Sequence, residues 1–398
     1  SLRSSMKAAR MLFLVLTILR SMRLLVIQRF PIMVDYPTKL PDWWLADVIR
    51  LNIINHSCFN HFCQWIRKVY MKDITYTSTT GIPPRSMEEE FLCHRQGFEW
   101  WYATGYLNDE NGRLFTFQFT LSKIKVYGVK FNLLMTAVTD IENAKHYYNQ
   151  KSIFFEKDVI INPGRVGVDG SAEMTFPLDK SAGGKLGLNM HGEEYALTLD
   201  IDMVKKPIWQ CRDGVLQMGI DAPQAKTYYW SYTNLAVNGH LQLGGREFNV
   251  NGKAWFDRQG GPFNPLDRRQ QWEWFSLRFF DNEEVMLFSF PHVPYRDGTF
   301  IDRSGIASRF NDFTIQPLGF TEAGGNKFSC GWQVQLKGIK DEEYTIVPKV
   351  DGQLNLFYFE LLADIKDKAG NVVGYCMVEL LPGVYNTKST AMSAFARV

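Results

Sequence analysis

The stretch Leu114-Phe115-Thr116-Phe117-Gln118-Phe119-Thr120-Leu121 alternates apolar and polar side chains without a break. Successive side chains of a β-strand point to opposite faces, so this period of two predicts a strand that buries its phenylalanines on one face. Residues 197–203 (Leu-Thr-Leu-Asp-Ile-Asp-Met) alternate in the same way. From about Glu99 onward the chain therefore reads as β-structure.

Tight turns separate these predicted strands. Pairs that end in glycine recur through the chain: Asn111-Gly112, Asp169-Gly170, Asn238-Gly239, Gly244-Gly245, Asn251-Gly252 and Asp351-Gly352. Such pairs supply the positive φ angles that tight hairpins require. Leu241 to Asp257 in particular predicts a hairpin that turns at Gly244-Gly245. Short strands with frequent turns favour antiparallel barrels or sandwiches, so the body of the chain is predicted to be all-β.

Composition excludes several classes of protein. The 398 residues are 45% hydrophobic and 22% charged, which is typical of a soluble globular chain with two or three domains. Net charge is only +2, so no field is available to hold a nucleic-acid backbone, and nucleic acid is not an expected partner. Six scattered cysteines are too few for a disulfide framework. The unusual quantity is the 14% aromatic content, which either fills cores or lines a cavity.

The N-terminal segment differs from the body. Residues 11–19 form a mostly apolar run after Lys7 and Arg10, too short to span a bilayer but typical of a signal-peptide core. Basic residues interrupt the next apolar stretch, which also fits an uncleaved interfacial anchor or a plain helix. Residues 1–30 are therefore predicted to be a signal-like or membrane-anchor segment. The expected location is secreted, periplasmic or membrane-associated, with membrane-surface contact through this segment.

Residues 31–89 are predicted to be a helical extension. Apolar positions recur at spacings of three and four between residues 40 and 72, as in amphipathic helices. The segment His56 to Cys63 contains two histidines and two cysteines, which raises the question of a zinc site. At about 100° per residue these side chains fall on opposite faces of a helix, so no metal site is predicted.

Standard catalytic signatures are missing from the sequence. It contains no Walker loop, no GxGxxG after a strand, no GxSxG elbow and no HExxH, and its seven histidines are dispersed. No nucleotide cofactor or metal is therefore predicted. Four dense clusters of aromatic and polar residues stand out instead, at 98–106, 227–234, 252–261 and 270–278.

Strand alternation assigns the side chains of these clusters to faces. It groups Glu99 with Trp101; Tyr228 with Trp230, Tyr232 and Asn234; Trp255 with Asp257 and Gln259; and Trp272 with Trp274, Ser276 and Arg278. Core packing explains any one cluster, but four together favour a lined cavity. A buried carboxyl is costly unless it is paired or protonated. Asp257 is therefore expected either to pair with an arginine or to stay protonated as a general acid.

These clusters resemble a known family. The blocks Glu99-Trp100-Trp101-Tyr102, 229–233, 254–259 and Gly374-Tyr375 with Glu379-Leu380 are similar to the CrtC/AttH family, over roughly residues 90–398. That family contains carotenoid 1,2-hydratases, kievitone-type hydratases and lipocalin-like Diels–Alderases. The resemblance implies two tandem lipocalin-like antiparallel β-barrels, at 90–257 and 258–398. It also implies a ligand cavity near their junction and no cofactor.

The resemblance further implies site residues. In the carotenoid hydratase branch the proton donor is an aspartate two residues after a tyrosine; Asp257 matches that aspartate and Trp255 replaces the tyrosine. Trp230 matches the tryptophan of an upstream His-x-Trp pair, whereas Tyr228 replaces the histidine. Gly260-Gly261 stands where the family usually has Trp-Gly. These departures weaken the carotenoid assignment and leave the protonated-acid chemistry intact.

The sequence therefore predicts a cofactor-independent hydratase or lyase that acts on an apolar, alkene-bearing, isoprenoid-like substrate. Asp257 is expected to protonate the alkene, with Tyr228 or Glu99 positioning the water. The expected substrate-binding side chains are Trp230, Trp255, Trp101, Tyr232, Trp272, Trp274 and Arg278. Of these, the ring faces of Trp230, Trp255 and Trp272 would stabilise the resulting carbocation through cation–π attraction. The alternatives are a lipocalin-like carrier of hydrophobic ligands and a pericyclic cyclase or isomerase. The sequence carries no signal for oligomeric state.

Overall fold

The computed structural model describes residues 86–94, 97–126, 129–154, 156–177, 185–211, 213–340, 343–351, 353–355 and 358–386. The signal-like segment, nearly all of the predicted helical extension and the segment His56 to Cys63 lie outside the described residues. Within the described ranges, no helix is both long and apolar enough to cross a membrane.

The first sheet follows one short helix, α1 (Met87–Phe91). Its thirteen strands are β1 (Phe98–Asp109), β2 (Leu114–Val126), β3 (Val129–Asp140), β4 (Lys145–Ile153), β5 (Val159–Asn162), β6 (Arg165–Val168), β7 (Ala172–Thr175), β8 (Leu186–His191), β9 (Tyr195–Met203), β10 (Ile208–Trp209), β11 (Val215–Gln217), β12 (Lys226–Leu243) and β13 (Arg246–Gly261). They pair in the order β4-β3-β2-β1-β13-β12-β9-β8-β7-β6-β5, and β10 and β11 also pair with β12.

The second sheet has ten strands, and a short 3₁₀ turn (Arg268–Gln270) precedes it, as another (Glu156–Asp158) precedes β5. The strands are β14 (Glu273–Phe279), β15 (Glu284–Phe290), β16 (Tyr295–Ile301), β17 (Ala307–Arg309), β18 (Phe313–Ala323), β19 (Asn326–Leu336), β20 (Glu343–Pro348), β21 (Leu354–Asn355), β22 (Tyr358–Lys366) and β23 (Val372–Leu380). The order is β17-β16-β15-β14-β23-β22-β20-β19-β18, with β21 on β22. The prediction of an all-β body with two tandem barrel-like antiparallel sheets is confirmed.

Each sheet encloses its own core, and β2, which contains residues 114–121, lies in the first sheet. On β2, the side chains of Phe115, Phe117 and Phe119 are buried in this core, each with an exposed fraction of at most 1%. The second core is equally apolar and includes Phe275 and Trp332, which are fully buried. The alternation of residues 114–121 therefore marks packing inside a barrel, as predicted.

A third cluster of buried side chains joins the two sheets, and we call it the inter-sheet cluster. Its strand members lie on the faces that point away from the two barrel cores. The aromatic members include Tyr102, Tyr229 and Trp255 from the first sheet, Trp272 just before β14, and Trp274, Phe288, Phe290 and Tyr358 from the second sheet. Neighbouring residues in sequence, such as Trp101 and Trp230, belong to the first barrel core instead. Strand alternation thus separates packing inside a barrel from packing between barrels.

The predicted hairpin forms, and a close approach follows it. Leu243 pairs with Arg246, and Gly244 and Gly245 make the turn with φ values of 56° and 78°. Further along β13, Gly252 lies against β1, where a Cβ atom would meet the backbone oxygen of Tyr106 at 1.9 Å. Only glycine allows the two strands to keep this separation.

The first prediction concerns the close contact between β13 and β1 at Gly252. Gly252→Ala should lower the free energy of unfolding by about 1–3 kcal/mol, because the added methyl group forces β13 away from β1. Gly187→Ala is the matched control, since its Cβ would lie 3.3 Å from the nearest atom and needs only a small adjustment. Urea unfolding measures both variants. An equal loss in the two would show that the close approach at Gly252 does not limit stability.

Candidate active site

Asp257 lies at the centre of a row of side chains that crosses three strands of the first sheet. On β13 it pairs with Tyr102 of β1 on one side and with Ser231 of β12 on the other. Paired residues of neighbouring strands project their side chains to the same face. The row therefore points toward the second sheet, although Asp257 itself is only 3% exposed.

Three donors hold the Asp257 carboxyl group. The Ser231 hydroxyl and the Trp255 indole N–H donate to Oδ1, the indole over 2.6 Å. The Tyr229 hydroxyl donates to Oδ2 over 2.8 Å and accepts a 3.1 Å bond from the Trp274 indole. Because an indole can only donate, the Trp274 bond directs the proton of Tyr229 toward Asp257. The carboxyl group is thus oriented from both sheets.

Burial and these bonds act on the pKa of Asp257 in opposite directions. Burial raises the pKa, whereas the bonds from Ser231, Trp255 and Tyr229 and the charge of Arg278 lower it; the outcome is a pKa of about 7. An acid with a pKa near neutrality can both hold a proton and give it up at physiological pH, as a general acid must.

A second row of side chains faces Asp257 from the second sheet. Trp274 on β14 pairs with Glu379 on β23, which in turn pairs with Glu360 on β22. Like charges directly opposite one another on paired strands repel. Burial raises the pKa of Glu360 to about 7. Burial and the neighbouring charges of Glu360 and Asp257 raise the pKa of Glu379 to about 8.

Hydrogen bonds and ring contacts connect the two rows. The Tyr102 hydroxyl donates to Oε1 of Glu360 over 2.7 Å, and Thr104 donates to the same oxygen over 3.0 Å. The rings of Tyr102 and Trp274 meet edge to face with centroids 5.7 Å apart. The acids of the second sheet are therefore held in part by donors of the first.

A cavity of about 40 Å³ opens between the sheets beside Glu379. Trp100 and Trp272, stacked with centroids 5.7 Å apart, form part of its apolar wall. Tyr102, Tyr358 and Glu379 contribute polar groups to its lining. A space of this size admits a few water molecules.

Arg278 is the buried cation of this region. It lies on the same face of β14 as Trp274, is 4% exposed, and burial lowers its pKa. Its guanidinium carbon lies 5.6 Å from the centre of the Tyr106 ring. Its three guanidinium nitrogens have no hydrogen-bond partner among the described residues. The positive charge acts on Asp257 and Glu360 by lowering the pKa of each.

The structure brings together some of the side chains that the sequence singled out. Trp255, Trp272 and Trp274 join the inter-sheet cluster with Tyr102 and Tyr229, beside Asp257.

Other predicted residues lie on the opposite face of the first sheet. Trp101, Trp230 and Tyr232 pack in or against the first barrel core, and Tyr228 contacts the ring of His94 edge-on at 6.3 Å. The reason is the register between β12 and β13. It pairs Ser231 with Asp257, whereas Trp230 pairs with Arg258.

Glu99 also lies on that opposite face, in an ion-pair network. Its carboxylate contacts Arg258 at 2.5 Å and Lys123 at 2.7 Å, and it accepts 3.0 Å bonds from the backbone N–H of His94. Burial alone would raise the pKa of Glu99, but the two cations outweigh it and lower the pKa to about 2. Arg258 also donates to the carbonyl of Leu92, so the network fastens the chain before β1 to the first sheet.

Sequence reasoning missed several members of the site. Tyr102, Tyr229 and Ser231 stood inside the quoted clusters, and only the pairing of strands brings them to Asp257. Glu379 stood in the family block without a role. Glu360 had a local signal, since it is a carboxyl in the apolar run Tyr358-Phe359-Glu360-Leu361-Leu362, where an unpaired charge is costly.

Fold and site together define a tandem lipocalin-like protein with a carboxyl-lined site between its two barrels. The model of the AttH-like family matches residues 85–383, so the chain belongs to the AttH-like family, as the resemblance predicted. No curated protein sequence matches the chain.

The solved structures that are similar to the chain include an AttH protein and a hydratase. An AttH protein from Nitrosomonas europaea is 21% identical with a TM-score of 0.63, over 73% of this chain and 93% of that one. Kievitone hydratase from Nectria haematococca is 15% identical with a TM-score of 0.59, over 80% of this chain and 98% of that one. At these identities the likeness establishes the shared fold.

The second prediction concerns the Glu99 network. Glu99→Gln should lower the free energy of unfolding at neutral pH by about 3–5 kcal/mol, because it leaves Arg258 buried without its counter-charge. Since the folded-state pKa of Glu99 is depressed, its stabilisation is present above the ordinary value of 4.5 and is lost as pH falls toward about 2.

Urea unfolding across this pH range measures the effect. The gap between wild type and Glu99→Gln should narrow as the pH is lowered. Glu110→Gln, at an exposed carboxyl, is the control and should change stability by no more than about 0.5 kcal/mol. A gap that does not depend on pH would contradict the ionised state of Glu99.

Proposed function

We propose that this protein is a cofactor-independent enzyme of the hydratase or cyclase type, in which Asp257 protonates an alkene of an apolar, isoprenoid-like substrate. The observation that carries the proposal is the Asp257 carboxyl group itself. It is 3% exposed, lies among tryptophan and tyrosine rings, and has a pKa of about 7. The shared fold with kievitone hydratase is in keeping with this proposal.

The chemistry begins with proton transfer. The Asp257 O–H bond breaks, the alkene π electrons form a new C–H bond, and positive charge develops on the second alkene carbon. The rings of Trp255 and Trp274, with centroids 6.1 Å apart, are placed to stabilise that charge through cation–π attraction. Their indole N–H groups bond to Asp257 and Tyr229, so both rings are held in position before the substrate arrives.

Two outcomes follow from the same cation. Addition of water and loss of a proton give an alcohol, which is hydration. Loss of a neighbouring proton, or attack by a second alkene of the substrate, gives an isomer or a ring. Arg278, whose guanidinium nitrogens have no partner among the described residues, is suited to bind an oxygen-bearing end of the substrate.

The place of the substrate follows from packing. Phe115, Phe117 and Phe119 fill the first barrel, which argues against a ligand carried inside that barrel. Because Asp257 is almost fully buried on the face toward the second sheet, the entry proposed for a substrate lies between the sheets, beside Trp100 and Trp272. The space there measures only about 40 Å³, so it must widen to admit an isoprenoid chain. This observation favours the enzyme over the carrier alternative.

The third prediction tests Asp257 directly. Asp257→Asn should lower turnover by about 10²–10⁴-fold, because an amide cannot donate the proton of a carboxylic acid. The assay incubates lycopene, squalene and geraniol in water that carries a heavy oxygen isotope, and mass spectrometry detects a gain of labelled water or an isomeric product. Glu273→Gln is the control, since it changes another buried carboxyl that lies in the second barrel core.

Binding separates chemistry from affinity in the same experiment. Quenching of tryptophan fluorescence should show similar affinity for wild type and Asp257→Asn. Unchanged turnover in Asp257→Asn would refute the role of Asp257. Substrates recovered chemically unchanged from the wild type would support the carrier.

The fourth prediction concerns pH. Since protonation requires the acid form of Asp257, kcat/KM should fall as the pH rises above about 7. Tyr229→Phe removes a bond that favours the ionised form, so the pKa of Asp257 should rise and the alkaline limb should move to higher pH. Tyr228→Phe changes a side chain on the opposite face and should leave the limb in place. If the alkaline limb of the pH profile moved in Tyr228→Phe and stayed in place in Tyr229→Phe, the strand register described for the site would be contradicted.

A further inference from the structure

Glu379 is the carboxyl group of the inter-sheet region that a ligand can reach. Asp257 and Glu360 are each 3% exposed, whereas Glu379 is only partly buried and lines the cavity between the sheets. The Trp272 indole donates to its Oε1 over 2.8 Å and so sets the direction of the carboxyl group. Glu379 is therefore more accessible than Asp257 and Glu360.

The cavity beside Glu379 suits water. At about 40 Å³ it is far too small for an isoprenoid chain, yet it exceeds the space that one water molecule needs. Tyr102, Thr120, Ser122 and Tyr358, each of which carries a hydroxyl group, line it together with Glu379. A buried water typically makes about three hydrogen bonds. Tyr102 donates to Glu360 and Thr120 accepts from Gln118, but hydroxyl and carboxylate oxygens have further lone pairs that can accept from water.

We propose that Glu379 is a second catalytic group, which takes the proton from a water molecule held in this cavity as that water adds to the substrate cation. The inference rests on the proposed function. A lone pair of the water oxygen forms the C–O bond, one water O–H bond breaks, its electrons stay on oxygen, and the proton passes to Glu379. One turnover thus moves a proton from Asp257 to Glu379, and cavity water returns it to Asp257 before the next.

Glu360 is held by hydrogen bonds and acts on Glu379 through its charge. Its oxygens accept bonds from Tyr102, Thr104 and Asn355, so it is engaged by neighbouring side chains. It lies directly opposite Glu379 on the paired strand. Two opposed carboxyl groups in a buried site cannot both ionise without cost, so Glu360 raises the pKa of Glu379. Between the pKa values of about 7 for Asp257 and about 8 for Glu379, the productive form is therefore the less populated one, in which Glu379 is ionised and Asp257 holds the proton.

The groups that act on Glu379 are drawn from both sheets. Glu360 and Asp257 are the acids that raise its pKa to about 8, and the Trp272 bond lowers it. The tyrosines at 102 and 358 line the same cavity, and the pKa of each is raised well above the ordinary range by burial. These tyrosines therefore stay neutral, and the proton balance of the cavity is set by the carboxyl groups.

The test separates formation of the cation from addition of water. Wild type, Glu379→Gln and Asp257→Asn are incubated with lycopene, squalene and geraniol in deuterated water. Reversible protonation by Asp257 places deuterium in the alkene, whereas hydration yields an alcohol. Glu379→Gln should lose hydration by about 10²–10⁴-fold while its deuterium exchange stays within about tenfold of wild type. Asp257→Asn should lose both.

A second measurement does not depend on substrate. The infrared band of protonated carboxyl groups is followed through a pH titration. In the wild type one component of this band should disappear near pH 8, and in Glu379→Gln that component should be missing. Glu273→Gln, which alters a buried carboxyl in the second barrel core, should keep that component. Glutamine preserves an oxygen acceptor for Trp272, so the fold should be retained.

Each result decides between the two proposals. Normal hydration by Glu379→Gln, equal loss of exchange and hydration, or an unchanged infrared titration would overturn the role of Glu379 and leave Asp257 intact. A wild type that neither exchanges deuterium nor adds water would overturn the proposed function, and the inference with it.

Discussion

The cost of placing three carboxyl groups between two β-sheets is the constraint on which the rest of the site depends. An ionised carboxylate taken out of water costs several kcal/mol unless donors or cations compensate it. Asp257 and Glu360 receive donors from serine, threonine, tyrosine, tryptophan and asparagine side chains, none of them charged. Neutral donors compensate only part of the cost, so the pKa of each group rises toward neutrality.

Glu99, on the opposite face of the first sheet, shows a different way to compensate a buried carboxyl group. It is as deeply buried as Asp257, but Arg258 and Lys123 lie within salt-bridge distance of it. The two cations keep Glu99 ionised and lower its pKa to about 2, while burial without such contacts brings Asp257 to about 7. Direct ion pairs with cations, rather than the degree of burial, separate a carboxylate that stabilises the fold from an acid that can exchange a proton. Arg278 also lowers the pKa of Asp257, but among the described residues its guanidinium nitrogens have no hydrogen-bond partner.

Much of the fold could be predicted from local patterns, because the period of two and the turn residues act over a few positions. Faces within one strand were also predictable: Trp255 does share a face of β13 with Asp257. Trp272 lies just before β14, yet joins the same cluster as Trp274. Register between strands was not. A slip of one residue exchanges all side chains between faces, and this decides whether Trp230 or Ser231 meets Asp257. Pairings over long separations, such as Tyr102 with Glu360, leave no local pattern at all.

The need to satisfy acids in an apolar interface also explains which side chains surround them. Aliphatic residues would bury comparable area but bring no donor, whereas tyrosine and tryptophan combine a large apolar ring with an O–H or N–H group. Trp274 of the second sheet orients Tyr229 of the first, and Tyr102 of the first bonds to Glu360 of the second. Neither barrel alone supplies both partners of these bonds. The hydrogen bonds that tyrosine and tryptophan side chains make to the acids therefore form only when the two barrels are packed together.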